Sequence, residues 1–224
     1  MFPKPGYGGL VSVELLDTDI VHGHLHIPDG KPRGAIALTH GAGSNSDAKI
    51  LQVMCDRFAE RGLLALRYDL PFRRRKPKGP PQPARAAEDR SGVADAAAAL
   101  RERHTGPILV GGVSYGGRQT SMLVAEQSEI ADALLLLSYP LHPPGKPEKA
   151  RTEHLPGITV PTLFVHGARD PFGTLDEVRA AAALVAGPTT LLEVPAAGHD
   201  LSRAKTDPSD AAVTAVLDLL GDSL

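Results

Sequence analysis

The stretch ILVGGVSYGGRQT, residues 108–120, decides the fold, because an apolar run passes directly into a glycine-rich turn that carries Ser114. Residues 112–116, GVSYG, match the pattern G-x-S-x-G in the setting that it requires, with a predicted strand before it and a predicted helix after it. Such a turn pushes the serine hydroxyl out above the sheet, and the glycines let the strand and the helix approach each other. We therefore interpret Ser114 as a nucleophile; the alternative is a glycine-rich turn with an incidental serine.

Short apolar runs alternate with helical patterns along the rest of the chain. Strands are predicted at 11–16, 21–27, 35–40, 63–70, 107–112, 133–139, 161–167 and 189–194. All but the first two read as strands that are buried on both faces. Helices are predicted at 47–62, 84–103, directly after Ser114, 175–187 and 207–221. This order predicts a single α/β domain, residues 1–224, whose sheet of about eight strands is mostly parallel with an antiparallel start and has helices on both faces.

The composition limits the classes of function. A net charge of −2 gives no general reason to expect nucleic-acid or membrane binding. No apolar run approaches the ~18 residues of a membrane span. The opening residues 1–10 lack the pattern of a secretory leader, and Cys55 is the only cysteine, so an intramolecular disulfide is excluded. We expect a cytoplasmic protein that binds neither nucleic acid nor membranes.

A nucleophilic serine needs a base, and the base needs an acid that orients it. In the order Ser, Asp, His that suits a nucleophile on such a turn, Asp170 follows the next-to-last predicted strand and His199 follows the last. Both positions lie past the carboxyl ends of strands, where open α/β sheets place their sites. The alternatives are a turn-forming aspartate before Pro171 and a solvated surface histidine. We predict Ser114, Asp170 and His199 as a catalytic triad.

Acyl transfer through a serine also requires donors for the oxyanion of the tetrahedral intermediate. The backbone N–H of Tyr115, the residue after the nucleophile, is one expected donor. The loop after the third strand, LTHGAGSNS, should supply the other, and the N–H of Ala42 is the candidate. We expect His40 to hold this loop by a hydrogen bond.

Several motifs together resemble those of the α/β-hydrolases, nearly from end to end. The motifs THGAGSNSD, YDLPFRRR, GGVSYGGR and HPPGKPEKARTEHL, with HGARDPFG, are similar to those of a small dienelactone-hydrolase-like branch, which includes the hydrolase-like domain of a chromatin (NSL) complex subunit. The resemblance implies a Ser–His–Asp mechanism and no cofactor, but it fixes no substrate. We favour a small serine hydrolase that acts on a carboxylic ester or thioester bond. The branch also contains members regarded as scaffolds, so a non-catalytic interaction protein is the alternative function.

Two further patterns have simpler explanations that involve no functional site. His22, His24 and His26 alternate on one strand face at a spacing that could hold a metal, but a half-exposed strand explains them, and no metal is predicted. The stretch PFRRRKPKGPPQP, residues 71–83, is predicted to be a surface loop. Its cations from Arg73 to Lys78 could attract an anionic substrate, although a solvated loop is the simpler interpretation.

The segment between the sixth strand and Pro161 is short. Residues 141–160 have room for one short helix at most, whereas larger relatives insert a lid there. We therefore expect a shallow, open site.

Overall fold

The structure, a computed structural model, describes residues 11–221, so the opening segment on which the leader prediction rests lies outside it, as do residues 222–224. Within the described residues, eight strands form one sheet in the order β1-β2-β4-β3-β5-β6-β7-β8. They are β1 Ser12–Asp17, β2 His22–Ile27, β3 Gly34–Thr39, β4 Leu63–Tyr68, β5 Ile108–Val113, β6 Ala133–Leu137, β7 Thr162–Gly167 and β8 Thr189–Val194. Strands β1 and β2 are antiparallel to their neighbours, and the other pairs are parallel. The predicted architecture is confirmed.

Helices cover both faces of the sheet. They are α1 Lys49–Glu60, α2 Pro71–Arg75, α3 Ala86–Arg101, α4 Tyr115–Glu126, α5 Leu175–Ala182 and α6 Ser209–Leu220. Helices α1 and α6 pack on one face, and α3, α4 and α5 pack on the other. Successive side chains of a strand point to opposite faces. Ile36 and Leu38 of β3 therefore pack in the core under α1 and α6, whereas Ala35 and Ala37 pack in the core under α3, α4 and α5.

The central strands are apolar at almost every position because each is covered twice. Strands β3, β4, β6 and β7 are buried along their whole length. The prediction of two buried faces was wrong for β8, which lies at the edge of the sheet and is half-exposed.

The basic stretch 71–83 differs from the predicted surface loop. Pro71–Arg75 forms the short helix α2, with proline at its first position. Phe72 and Arg73 are buried, whereas the residues from Arg74 to Pro80 are exposed. The first turn of this stretch is therefore part of the packed structure.

The short segment before β7 runs past α4 without a long helix. Instead of one helix it contains two single turns of 3₁₀ helix, Pro147–Lys149 and Leu155–Gly157. Leu155 and Ile158 are fully buried and fasten the segment to the core. The loops at the carboxyl ends of the parallel strands are left to form the site described next.

Candidate active site

Ser114 stands at the junction of β5 and α4 with a backbone conformation that few non-glycine residues adopt, φ 51° and ψ −115°. Close contacts explain the surrounding glycines. A Cβ on Gly112 would lie 2.8 Å from the Gly117 nitrogen, and one on Gly116 would lie 2.7 Å from the Thr39 methyl group. Any larger residue would push the strand, the helix and the neighbouring loop apart, so the glycines permit the strained turn.

The structure brings the three residues of the predicted triad into one hydrogen-bonded chain. His199 Nε2 lies 2.8 Å from Ser114 Oγ, and His199 Nδ1 lies 2.7 Å from Asp170 Oδ2. An ionised carboxylate only accepts, so the bond to Asp170 assigns the proton to Nδ1 and leaves Nε2 as the acceptor for the serine hydroxyl. The Asp170 side chain is fully buried, whereas that of His199 is 27% exposed. A hydroxyl held in this way can pass its proton to the imidazole.

Asp170 is held by its own loop. Its second oxygen, Oδ1, accepts a hydrogen bond from the Phe172 N–H at 2.9 Å. The Phe172 ring in turn packs on the His199 ring, with 4.3 Å between the centroids. The neighbouring His166 gives its Nε2 proton to the Gly173 carbonyl, 2.9 Å away.

Asp200, the sequence neighbour of His199, takes part in a different structure. Its carboxylate accepts from the N–H and the hydroxyl of Ser202, at 3.1 and 2.6 Å, and pairs with Arg203. It caps the 3₁₀ turn Leu201–Arg203. Adjacent side chains diverge along the backbone, which is why the carboxylate from the separate β7 loop reaches the imidazole.

The loop that carries Ala42 lies against the turn at Ser114. His40 is fully buried, its Nδ1 lies 2.8 Å from the Gly41 carbonyl, and its Nε2 accepts from the Leu70 N–H at 3.2 Å. Burial lowers the pKa of His40, which favours the neutral ring that these two bonds require. In a trans peptide the N–H points away from the carbonyl, so His40 also sets the direction of the Ala42 N–H.

Arg73 holds the same loop from the other side, and sequence reasoning missed it. Its guanidinium donates to the carbonyls of Ala42 and Ser44, both at 2.8 Å. Five donors in a fixed fork allow one arginine to bind two carbonyls at once. The only sequence signal was a basic stretch, which does not distinguish a buried cation from a solvated one.

The side chain of Tyr115 anchors the start of α4. Its hydroxyl donates to Asp89 Oδ2 at 2.7 Å, and Asp89 Oδ1 accepts from the Phe72 N–H at 2.9 Å. Burial, together with the carboxylate partner, raises the pKa of the Tyr115 phenol, so it stays protonated as a donor. The first turn of α4, which carries the Tyr115 backbone N–H, is thereby tied to α2 and α3.

A cleft of about 510 Å³ opens beside Ser114. It is lined by Ala42, Pro81, Pro83, Ala86, Arg90, Ser114, Tyr115, Arg118, Gln119, Met122, Pro140, Arg151 and Phe172. Both predicted oxyanion donors belong to residues of this lining. Sequence reasoning missed its three arginines, although Arg118, four residues after the serine on a predicted helix, could have been found by its spacing.

The alternating histidines of β2 do not converge on a metal site. Within residues 11–221, no group of three or more His, Cys, Asp or Glu side chains is arranged to hold a metal ion. His22 bonds to Asp17 at 2.9 Å, and His26 bonds to Asp56 at 2.8 Å.

Comparison with known proteins agrees with this architecture. A family model described as an alpha/beta hydrolase domain matches residues 32–218. The chain is similar to dienelactone hydrolase from Anabaena variabilis ATCC 29413, at 21% identity over 93% of this chain and 94% of that chain, with a TM-score of 0.69. It is also similar to Est1E from Butyrivibrio proteoclasticus with ferulic acid bound, at 16% identity over 93% and 100%, with a TM-score of 0.73.

In the described part of the chain, no helix is long and apolar enough to cross a membrane.

A third similar structure is the dienelactone hydrolase-like promiscuous phosphotriesterase P91 from metagenomic libraries, at 17% identity over 96% of this chain and 99% of that chain, with a TM-score of 0.69. The narrower likeness to a chromatin-complex subunit stays a prediction from the motifs. The chain belongs to the α/β-hydrolase family, and its fold resembles that of the dienelactone-hydrolase-like enzymes.

Proposed function

We propose that the protein is a serine hydrolase that cleaves a carboxylic ester or thioester through Ser114, His199 and Asp170. The observation that carries the proposal is the continuous hydrogen-bonded chain from the Asp170 carboxylate through the His199 ring to the Ser114 hydroxyl. An imidazole base with an orienting carboxylate on one side and a nucleophilic hydroxyl on the other is the arrangement that acyl transfer needs.

In the first half of the reaction, Ser114 Oγ attacks the substrate carbonyl while His199 Nε2 takes the hydroxyl proton. The carbonyl oxygen becomes an oxyanion, which the N–H groups of Ala42 and Tyr115 stabilise. The buried Asp170 carboxylate stabilises the imidazolium and keeps the ring in the required orientation. The intermediate then expels the alkoxide or thiolate, which takes the proton from His199, and an acyl-serine remains.

In the second half, water attacks the acyl-serine and gives a proton to His199 Nε2. The second tetrahedral intermediate collapses, the C–O bond to Ser114 breaks, and the serine oxygen recovers the proton. The product is the free carboxylic acid. No step needs a metal or an organic cofactor, because the proton transfers and the charge stabilisation are supplied by side chains and backbone N–H groups.

The cleft supports a small or exposed substrate. Pro140 and Arg151 of its lining belong to the stretch before β7, which contains two single helical turns instead of a long insertion that could cover an acyl chain. A lipase-like enclosure of a long chain does not suit this geometry.

Labelling with a fluorophosphonate probe tests the proposal against a non-catalytic protein. The wild type should be labelled, and Ser114→Ala should not. Ser138→Ala is the matched control, because Ser138 also has a positive φ of 50° at the end of a neighbouring strand but is fully buried. A panel of esters and thioesters then identifies the bond. An unlabelled wild type that hydrolyses no member of the panel would overturn the proposal.

A further inference from the structure

Three guanidinium groups line the cleft beside Ser114, from Arg90, Arg118 and Arg151. None of the described residues in that lining is an aspartate or a glutamate. Arg90 approaches Glu126 at 3.9 Å, outside the lining, and donates to Gln119 at 3.4 Å. Among residues 11–221, Arg118 and Arg151 have no carboxylate partner, so the wall next to the nucleophile carries positive charge that these residues do not neutralise.

Arg118 is the central member of this group. It lies four residues after Ser114, about one turn along α4, and is therefore on the same helical face as the nucleophile. Among residues 11–221 its guanidinium has no hydrogen bond or ion pair, and its Nε is buried without an acceptor. A buried donor without a partner is costly and uncommon in folded proteins. The rest of this guanidinium also has no partner among those residues, and Arg118 lines the cleft, so the group is free to bind a ligand there.

Arg151 faces the same space and is held rigidly. Its backbone N–H donates to the Leu141 carbonyl at 2.8 Å, its carbonyl accepts from the Tyr139 hydroxyl at 2.7 Å, and its Nη1 donates to the Pro140 carbonyl at 2.9 Å. Burial and then the charge of Arg118 lower the pKa of the Arg151 guanidinium. The protein therefore keeps two cations close together, an arrangement that an anion between them would stabilise.

The cations of the basic stretch 71–83 do not line this cleft. Arg73 is taken up by backbone carbonyls, Arg74 donates to the carbonyls of Thr18 and Asp19, and Arg75 pairs with Glu88. The sequence had drawn attention to these cations as a site for an anionic substrate. Arg118 and Arg151 of the cleft are the better candidates for such a site.

We propose, on the basis of the proposed function, that the natural substrate carries a carboxylate at a distance from the scissile bond, and that Arg118 and Arg151 bind it. Guanidinium groups match a carboxylate with paired, charge-assisted hydrogen bonds. The substrate carbonyl then lies at Ser114, and Met122 and Ala86 contact the apolar linker between the two groups. The substrate class is the monoester or monothioester of a dicarboxylic acid.

The experiment compares p-nitrophenyl adipate, with a free terminal carboxylate, with its methyl-capped counterpart, and subtracts the background measured with Ser114→Ala. Wild type should prefer the acidic ester in kcat/KM. Arg118→Met should lower the ratio of the two kcat/KM values by roughly 10- to 100-fold, because charge-assisted hydrogen bonds are lost. Arg103→Met, which removes an exposed arginine in the turn after α3, is the control and should leave the ratio unchanged.

Binding of adipate to the Ser114→Ala protein, measured by calorimetry, gives a readout that needs no turnover. Adipate should bind, and addition of Arg118→Met should weaken the binding. Hydrolysis of the neutral ester without preference for the acidic one would overturn this inference and leave the hydrolase proposal standing. Failure of the wild type to hydrolyse either ester or to react with a fluorophosphonate would count against the hydrolase itself. Equal adipate binding with and without Arg118→Met would overturn the carboxylate site in either case.

Discussion

Two histidine–aspartate pairs in this molecule have the same local geometry and different surroundings. In each, a ring Nδ1 lies close to a carboxylate oxygen: 2.7 Å for His199 and Asp170, and 2.8 Å for His26 and Asp56. In each, Nε2 lies next to a second side chain, Ser114 at 2.8 Å in the first pair and Arg67 at 3.0 Å in the second.

The burial of the two pairs is reversed. The Asp170 side chain is fully buried and that of His199 is 27% exposed, whereas the His26 side chain is 3% exposed and that of Asp56 is 50% exposed. The far nitrogen of His26 accepts from a guanidinium, which does not lose its proton in proteins. That of His199 faces a hydroxyl in a cleft. A histidine–aspartate hydrogen bond does not by itself make a catalytic site. The partner of Nε2 and the exposure of the imidazole determine whether the pair can act as a base on a substrate or a nucleophile.

The largest effect should come from the serine that distinguishes the two pairs. Ser114→Ala should lower hydrolysis of an activated ester by about 10³-fold or more, with residual catalysis from binding and the oxyanion donors. Steady-state kinetics measure the loss, and circular dichroism checks the fold. An active Ser114→Ala protein would show that Ser114 is not the nucleophile and that the pair of His199 and Asp170 is not the catalytic one.

The matched carboxylates give the next test. Asp170→Asn should lower kcat by roughly 10²- to 10⁴-fold, because an amide no longer fixes the tautomer or stabilises the imidazolium. Asp56→Asn, the same change in the other pair, should leave kcat unchanged. Thermal melts of both variants exclude unfolding as the cause.

Asp200→Asn completes this series. It should cost less than ~10-fold in kcat, because its carboxylate caps a 3₁₀ turn and does not bond to the imidazole. If Asp200→Asn were inactive and Asp170→Asn active, the assignment of the acid would be wrong while Ser114 and His199 could stand.

A smaller effect is expected at the loop behind the oxyanion donor. Arg73→Lys keeps the charge but cannot bind the Ala42 and Ser44 carbonyls together, so kcat should fall by about 10-fold with little change in KM. Arg74→Lys is the control, since Arg74 is exposed and donates to the carbonyls of Thr18 and Asp19. A fall in Tm without a change in kcat would show that Arg73 only stabilises the fold.

The smallest expected effect is on the pH dependence of stability, which His26 should influence without influencing the pH dependence of activity. Burial lowers the pKa of His26, although the hydrogen bond to Asp56 raises it in part, and burial lowers that of His154 to about 4. Groups with a lowered pKa in the folded state contribute stability that is complete above the ordinary histidine value of 6.5 and lost as pH falls through the folded value. Tm should therefore decrease from pH 6.5 toward pH 4.

His26→Gln should make that decrease in Tm smaller by a few degrees. The dependence of kcat/KM on pH should be unchanged in this variant, because His26 lies outside the hydrogen-bonded chain of Ser114, His199 and Asp170. Differential scanning calorimetry and initial rates over the same buffers measure both. A changed dependence of kcat/KM on pH in His26→Gln would mean that the pair of His26 and Asp56 influences the reaction.

The strands, the longer helices and the turn at Ser114 were readable from the sequence because their signals are local. Continuous apolar runs require strands that are covered on both faces, and G-x-S-x-G between a strand and a helix requires the tight turn whose close contacts are seen at Gly112 and Gly116. Asp170 and His199 could be proposed because the carboxyl ends of parallel strands share one edge. The burial of β8 and the existence of α2 were not read correctly, since an edge position and a buried arginine leave no local pattern.

Only the tertiary structure decided how the charged groups are partnered. Whether an aspartate is a buried acid, as at Asp170, or a capping group, as at Asp200, depends on contacts between loops far apart in the sequence. The same is true of Arg73, which binds backbone carbonyls, and of Arg118, whose guanidinium has no partner within residues 11–221. Hydrophobic periodicity is written along each element, but desolvation and charge pairing arise only when distant elements pack together.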